Sequence, residues 1–110
     1  MIRYEVIFLE PAKEFLDDLE EKSREKVLFN ILKSREINDP ELFKKLSGDI
    51  WEFRTRFKTK QIRLLAFWDK KDKKQTLVIA TNGFIKKTKK TPLKEMDRAI
   101  QLRKEYLENK

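Results

Sequence analysis

The chain has 110 residues, a length that suits one domain. It is 39% hydrophobic and 42% charged with little Gly or Pro, which argues for a compact fold over a disordered tail. It carries a net charge of +8 and has neither Cys nor His, which excludes disulfides, thiolate metal sites and the commonest general base.

In chain order, "IRYEVIFLE" alternates and then becomes continuously apolar, predicting a strand over about residues 2–9. Pro11 suits a first helical turn. Ala12, Phe15, Leu16 and Leu19 follow at helical spacing, and Val27, Leu28, Ile31 and Leu32 continue a stripe toward Ile37. Two readings stay open here: Ser23 caps a second helix, or it sits within one long helix. "INDPELFKKLSG" predicts a short helix, with Asp39 as cap, Pro40 in the first turn and Gly48 as the stop.

From residue 50 the period changes to two. In "IWEFRTRFKTK" the odd positions are Trp51, Phe53, Thr55 and Phe57, and the even ones Glu52, Arg54, Arg56 and Lys58. One strand face is thus aromatic and the other basic. "QIRLLAFWD" predicts the next strand, "DKKDKKQ" a hydrophilic hairpin turn, and "TLVIATNGF" a central strand. Thr91 and Pro92 read as cap and first turn of a last helix. Its stripe is Leu93, Met96, Ile100 and Leu107, with Ala99, Leu102 and Tyr106 beside it.

The expected fold class is therefore α+β in a single domain over residues 1–110. An N-terminal strand and helices precede an antiparallel three-strand meander, giving a sheet of about four strands, and a helix ends the chain. The helices should pack on one face of the sheet.

Charge is unevenly spread. Residues 1–49 sum to −3 and residues 50–110 to +11. A basic functional face for a polyanion follows. Arg54, Arg56 and Lys58 recur about 7 Å apart along a strand, comparable to the phosphate repeat of single-stranded nucleic acid. A hairpin near Thr59 and Lys60 brings Arg63 into this cluster, with Glu52 as its candidate holder. In "GFIKKTKKTP", Lys86, Lys87, Lys89 and Lys90 follow a strand, and Phe84 offers a stacking surface for a base. The acidic pairs Asp17–Asp18 and Glu20–Glu21 read as solvated helix surface rather than a metal site. No apolar run approaches the roughly 18 residues of a membrane span, and the N-terminus turns acidic too early for a signal peptide. A cytoplasmic protein without membrane contact is expected.

"LSGDIWEFRTRF", "IRLLAFWD" and "LVIATNGFIKKTKKTP", followed by an amphipathic helix, resemble toxins of the RelE/ParE superfamily. The HigB-like, phage-derived branch is the nearest in motif. The resemblance implies a RelE-like curved sheet and mRNA cleavage on the ribosome. It also implies neutralisation by an antitoxin, usually a helix-turn-helix protein encoded next door. It places Arg54 and Arg56 at the basic strand residues of RelE-type nucleases, Arg63 at a phosphate-binding arginine, and Lys86 or Lys87 at the basic residue after the last strand. Lys58, Lys60, Phe84, Lys89 and Lys90 then serve RNA binding.

Such residues permit cleavage without metal or cofactor, by attack of the 2′-OH on the adjacent phosphate. Arg54, Arg63 and Lys87 are placed to stabilise the developing charge. A base is still required. The candidates are Lys58, Lys60 and Lys86, with Glu52 the runner-up. The family's frequent late Tyr or His is not matched, since Tyr106 lies on the helical stripe. Two other classes fit the same surface: an inhibitor acting by binding, as ParE relatives act on DNA gyrase, and a non-catalytic RNA-binding module.

Overall fold

A computed structural model describes residues 2–70 and 76–109. Three helices and five strands follow in the order β1 (Glu5–Phe8), α1 (Glu10–Asp18), α2 (Glu21–Ser34), β2 (Phe43–Ser47), β3 (Ile50–Phe57), β4 (Lys60–Trp68), β5 (Leu77–Lys86) and α3 (Leu93–Glu108). The strands form one open mixed sheet ordered β1-β5-β4-β3-β2. β1 runs parallel to β5, and every other pair is antiparallel. The expected α+β class is what the chain adopts.

Two helices, not one, follow β1. The chain turns extended at Leu19, and the Arg24 side chain donates to the carbonyls of Leu16, Asp17 and Leu19, closing the end of α1. Ser23 lies inside α2 and is buried, so it caps nothing. The inward line of α2 is Ser23, Val27, Ile31 and Ser34, while Leu28 and Leu32 stay exposed.

The short helix expected after Asp39 is instead a strand. Asp39 does accept from the Glu41 and Leu42 amides, but the turn ends there and β2 begins. Phe43 pairs with Phe53, and their rings stack with centroids 4.3 Å apart. That aromatic contact outweighs the helical spacing of Phe43 and Leu46. Alternation along β2 carries Leu46 to the far face of the sheet with Ile50 and Leu65, and the ladder bulges there. Gly48, at φ +56, makes the tight return to β3 rather than a helix stop.

The helices also lie on both faces rather than one. α1 and α2 cover the main core, built on Phe53, Ile62, Leu64, Ala66, Val78 and Ala80. α3 covers a smaller one on the opposite face, made of Ile50, Leu65, Phe84 and Ala99 with Leu46 and Met96. Strands buried on both faces explain the near-continuous apolar runs in β4 and β5. α3 turns inward with Met96, Ala99, Leu102 and Tyr106, whereas Leu93, Ile100 and Leu107 are exposed, Leu93 by 80%. Thr91 makes no capping bond; Pro92 occupies the cap position. The expected hairpin turn at 69–75 falls mostly on residues 71–75, outside the described residues. Among the described residues, no helix is long and apolar enough to cross a membrane.

Candidate nucleic-acid interface

Strand register decides what shares the α3 face. Glu52 pairs with Leu65, Arg54 with Arg63 and Arg56 with Gln61 across β3 and β4. Arg63 pairs with Phe84, and Gln61 with Lys86, across β4 and β5. Direct partners on paired strands point to the same side. The face therefore divides along its length. One half holds Ile50, Leu65 and Phe84 under α3, and the other holds Arg54, Arg56, Gln61, Arg63 and Lys86.

Glu52 marks the boundary. It is 2% exposed, with Oε1 3.5 Å from Arg63 Nε and Oε2 3.6 Å from Arg54 Nε. Arg54 also approaches Glu41 at 3.8 Å and the Pro40 carbonyl at 3.5 Å. Arg63 is 4% exposed and donates to the Ile62 carbonyl at 3.2 Å and to Gln61 Oε1 at 3.0 Å. Burial pushes the Arg63 guanidinium below its ordinary pKa, and the Glu52 carboxylate opposes that shift. A guanidinium starts so high that the group stays charged.

Next to Arg63 opens a shallow cavity of about 440 Å³, lined by Gln61, Arg63, Lys86, Lys87, Thr88 and Lys89. Four of these six residues are cations, so the cavity suits an anion and repels a divalent metal.

The other sequence-predicted residues lie elsewhere. Phe84 is 7% exposed and packs on Leu65 and Ala99, so its ring offers no face to a base. Lys58 sits in the β3–β4 loop at φ +55, with its ammonium 5.5 Å from the Phe57 ring centre. Lys60 falls in the other alternation of β4, and its Nζ is 3.9 Å from Glu20 Oε1. It belongs to the helical face, not to the arginine cluster. Lys90 is exposed outside the cavity lining, and its carbonyl accepts from Thr88. Tyr106 donates to Asp69 Oδ2 at 2.8 Å and packs on Phe67.

A family model described as "Phage derived protein Gp49-like (DUF891)" matches residues 14–104. The chain belongs to this family. Among solved structures, a double arginine-to-alanine variant of the E. coli toxin RelE in the free state superposes with a TM-score of 0.58 at 20% identity. The match covers 92% of this chain and 97% of that one. No curated protein matches the chain. The resemblance drawn from the strand and "GFIKKTKKTP" motifs thus holds for family and fold: a Gp49-like chain with a RelE-like sheet.

Two residues of the Gp49-like cavity are not among those singled out from sequence. Gln61 occupies the same alternation as Arg63, so the period of two already contains it. Thr88 carries no signal beyond its place among lysines. The acidic pairs of α1 and α2 are exposed, and among the described residues no three acidic side chains gather as metal ligands.

Proposed function

We propose that this chain is the toxin of a toxin-antitoxin pair and cleaves mRNA on the ribosome. The observation that carries the reading is the cation-lined cavity of Arg63, Lys86 and Lys87 at the uncovered end of one sheet face, with Arg54 and Arg56 on the same face beside it. Gp49-like membership and the RelE-like fold are consistent with it.

In this reading the scissile phosphate enters the cavity. Arg63 holds it from the sheet and Lys87 from the loop, while Arg54 and Arg56 track the flanking backbone. The 2′-OH attacks the adjacent phosphorus, the bond to the 5′-oxygen breaks, and a 2′,3′-cyclic phosphate and a 5′-OH result. The phosphorane gains negative charge, so fixed cations stabilise it more than the substrate. Lys86, beside Gln61 on the cavity wall, is the amine placed to take the 2′-OH proton. Glu52 is buried between two guanidiniums and is not available as base. Lys58 and Lys60 lie outside the cavity lining. Without a strong base the rate depends on alignment of the RNA, which a ribosome supplies. The partner that silences this chain is a cognate antitoxin, of helix-turn-helix type.

The test is purified protein on ribosome-bound and on free mRNA, with end chemistry mapped. Cleavage confined to ribosomes, leaving 5′-OH ends, supports the reading. Growth arrest with intact mRNA, or inhibition of gyrase supercoiling, refutes it.

A further inference from the structure

We propose that Glu52 is a positioning residue: its buried carboxylate aligns Arg63 and Arg54 so that the free edge of the Arg63 guanidinium faces the cavity. The inference rests on the reading of this face as an RNA-cleaving site.

Arg54 and Arg63 are direct cross-strand partners, and like charges so placed repel. Left to themselves, two such side chains would splay toward solvent. Glu52 lies two register pairs away, next along the same face, and reaches both, with carboxylate oxygens 3.5 Å from Arg63 Nε and 3.6 Å from Arg54 Nε. Neither Glu52 Oε1 nor either Nε has a hydrogen-bond partner among the described residues. The contact is thus electrostatic, at a spacing that holds the three groups without closing a bond.

The location is costly. Glu52 pairs with Leu65, and Ile50 precedes it on the same face; both are in the α3 core. A carboxylate 2% exposed there carries a desolvation cost that an apolar side chain of similar size would avoid. Stability alone does not account for it. Orientation does. Arg63 commits one N–H to the Ile62 carbonyl and one to Gln61 Oε1, and its Nε lies 3.5 Å from Glu52 Oε1. One N–H on each terminal nitrogen then remains uncommitted among the described residues. Those two are the donors left to Arg63 for a phosphate. Glu41 and Glu52 together offset the two arginines, and the positive charge that greets a ligand comes from Lys86, Lys87 and Lys89 on the cavity wall. Being buried, Glu52 acts through the arginines and touches no RNA.

The experiment compares wild type with Glu52→Gln and Glu52→Asp. Readouts are kcat and KM on ribosome-bound mRNA, affinity for a single-stranded RNA oligonucleotide, and the Arg63 Nε–H signal in 15N NMR. We expect Glu52→Gln to stay folded, to lower kcat roughly 10- to 100-fold, and to bind the oligonucleotide as tightly as wild type or more so. The Arg63 signal should be sharp and slow to exchange in wild type, and averaged with solvent-exposed arginines in Glu52→Gln. Glu52→Asp should restore part of both kcat and the signal. A Glu52→Gln variant with wild-type kcat overturns the proposal, as does an averaged Arg63 signal in wild type, a measurement that needs no variant to fold. If wild type cuts no RNA, the cleavage reading fails, while the NMR signal and oligonucleotide affinity still decide the role of Glu52.

Discussion

Arg54 and Arg63 stand directly opposite each other on β3 and β4, two guanidiniums facing across one ladder pair. Only one of them is nearly buried, and only that one lines the cavity. Their roles should separate under substitution. Arg63→Lys keeps the charge and loses the planar fork. It should leave the folding free energy within about 1 kcal/mol of wild type while lowering cleavage at least tenfold. Arg54→Lys, on a partly exposed side chain, should have a smaller effect on turnover. Paired unfolding curves and single-turnover cleavage check both.

In RNA binding, as distinct from cleavage, Lys86 at the end of β5 and Lys87 after it should act through attraction. Lys86→Ala with Lys87→Ala should weaken binding to any RNA sequence alike. The slope of log affinity against log salt should become shallower by about 0.7 for each phosphate left without its lysine. Fluorescence titration of one oligonucleotide across a salt series measures this. The same double variant should also reduce cleavage, since both lysines line the cavity.

Gly83 is fixed by packing rather than by backbone angle. A Cβ there would come within 2.7 Å of Phe15 Cε2 and 2.8 Å of its Cγ, so the α1 ring lies flat against β5. Gly83→Ala should cost about 1–3 kcal/mol of stability. Chemical denaturation gives the figure, and Phe15→Leu in the same chain should recover part of it.

The alkaline limb of stability has one named contributor. Burial raises the Tyr4 phenol above its ordinary pKa, against the lowering effects of its bond to Ser34 and of Arg3 and Arg35. A group with a raised folded pKa contributes fully below the unfolded value of about 10 and loses that contribution as pH rises through the folded value. Stability should therefore fall above pH about 10 in wild type. Tyr4→Phe should flatten that fall and cost about 1–2 kcal/mol at neutral pH, because Tyr4 donates to Ser34 Oγ at 2.7 Å. Urea midpoints between neutral and strongly alkaline pH test both halves.

Much of the candidate site is legible in the sequence because β3, β4 and β5 obey a period of two. Arg54, Arg56 and Arg63 fall together by counting alone, given a hairpin between Phe57 and Lys60. The same counting sets Lys60 on the other face, but its nearness in sequence to the arginines masks this. Phe84 misleads because it precedes a lysine run, while its register opposite Arg63 carries it under α3. β2 misleads because "FKKLSG" spaces its apolar residues by three; only the distant Phe53 reveals the strand. α3 misleads in a different way. Its inner side uses Ala99 to come close to the sheet, so the bulkier Leu93, Ile100 and Leu107 lie outside. Side-chain size indicates which face could be buried, and close approach selects the smaller one.

The ladder between β4 and β5 shifts register at Leu65, where β5 bulges beneath α3. Thr81 and Asn82 together oppose Leu65, and Asn82 donates from Nδ2 to the Glu95 carbonyl and carboxylate at 3.2 and 3.1 Å. The first turn of α3 is thus stitched to the sheet, whereas Ala99 is its one buried residue among those described. Tyr106, bonded to Asp69 and packed on Phe67, ties down the far end, so a helix held near both ends over one buried residue can open as a cooperative unit of its own. Its amides should exchange with solvent before those of β4. The arginines, carried by strands whose other face is backed by α1 and α2, keep their spacing through those openings.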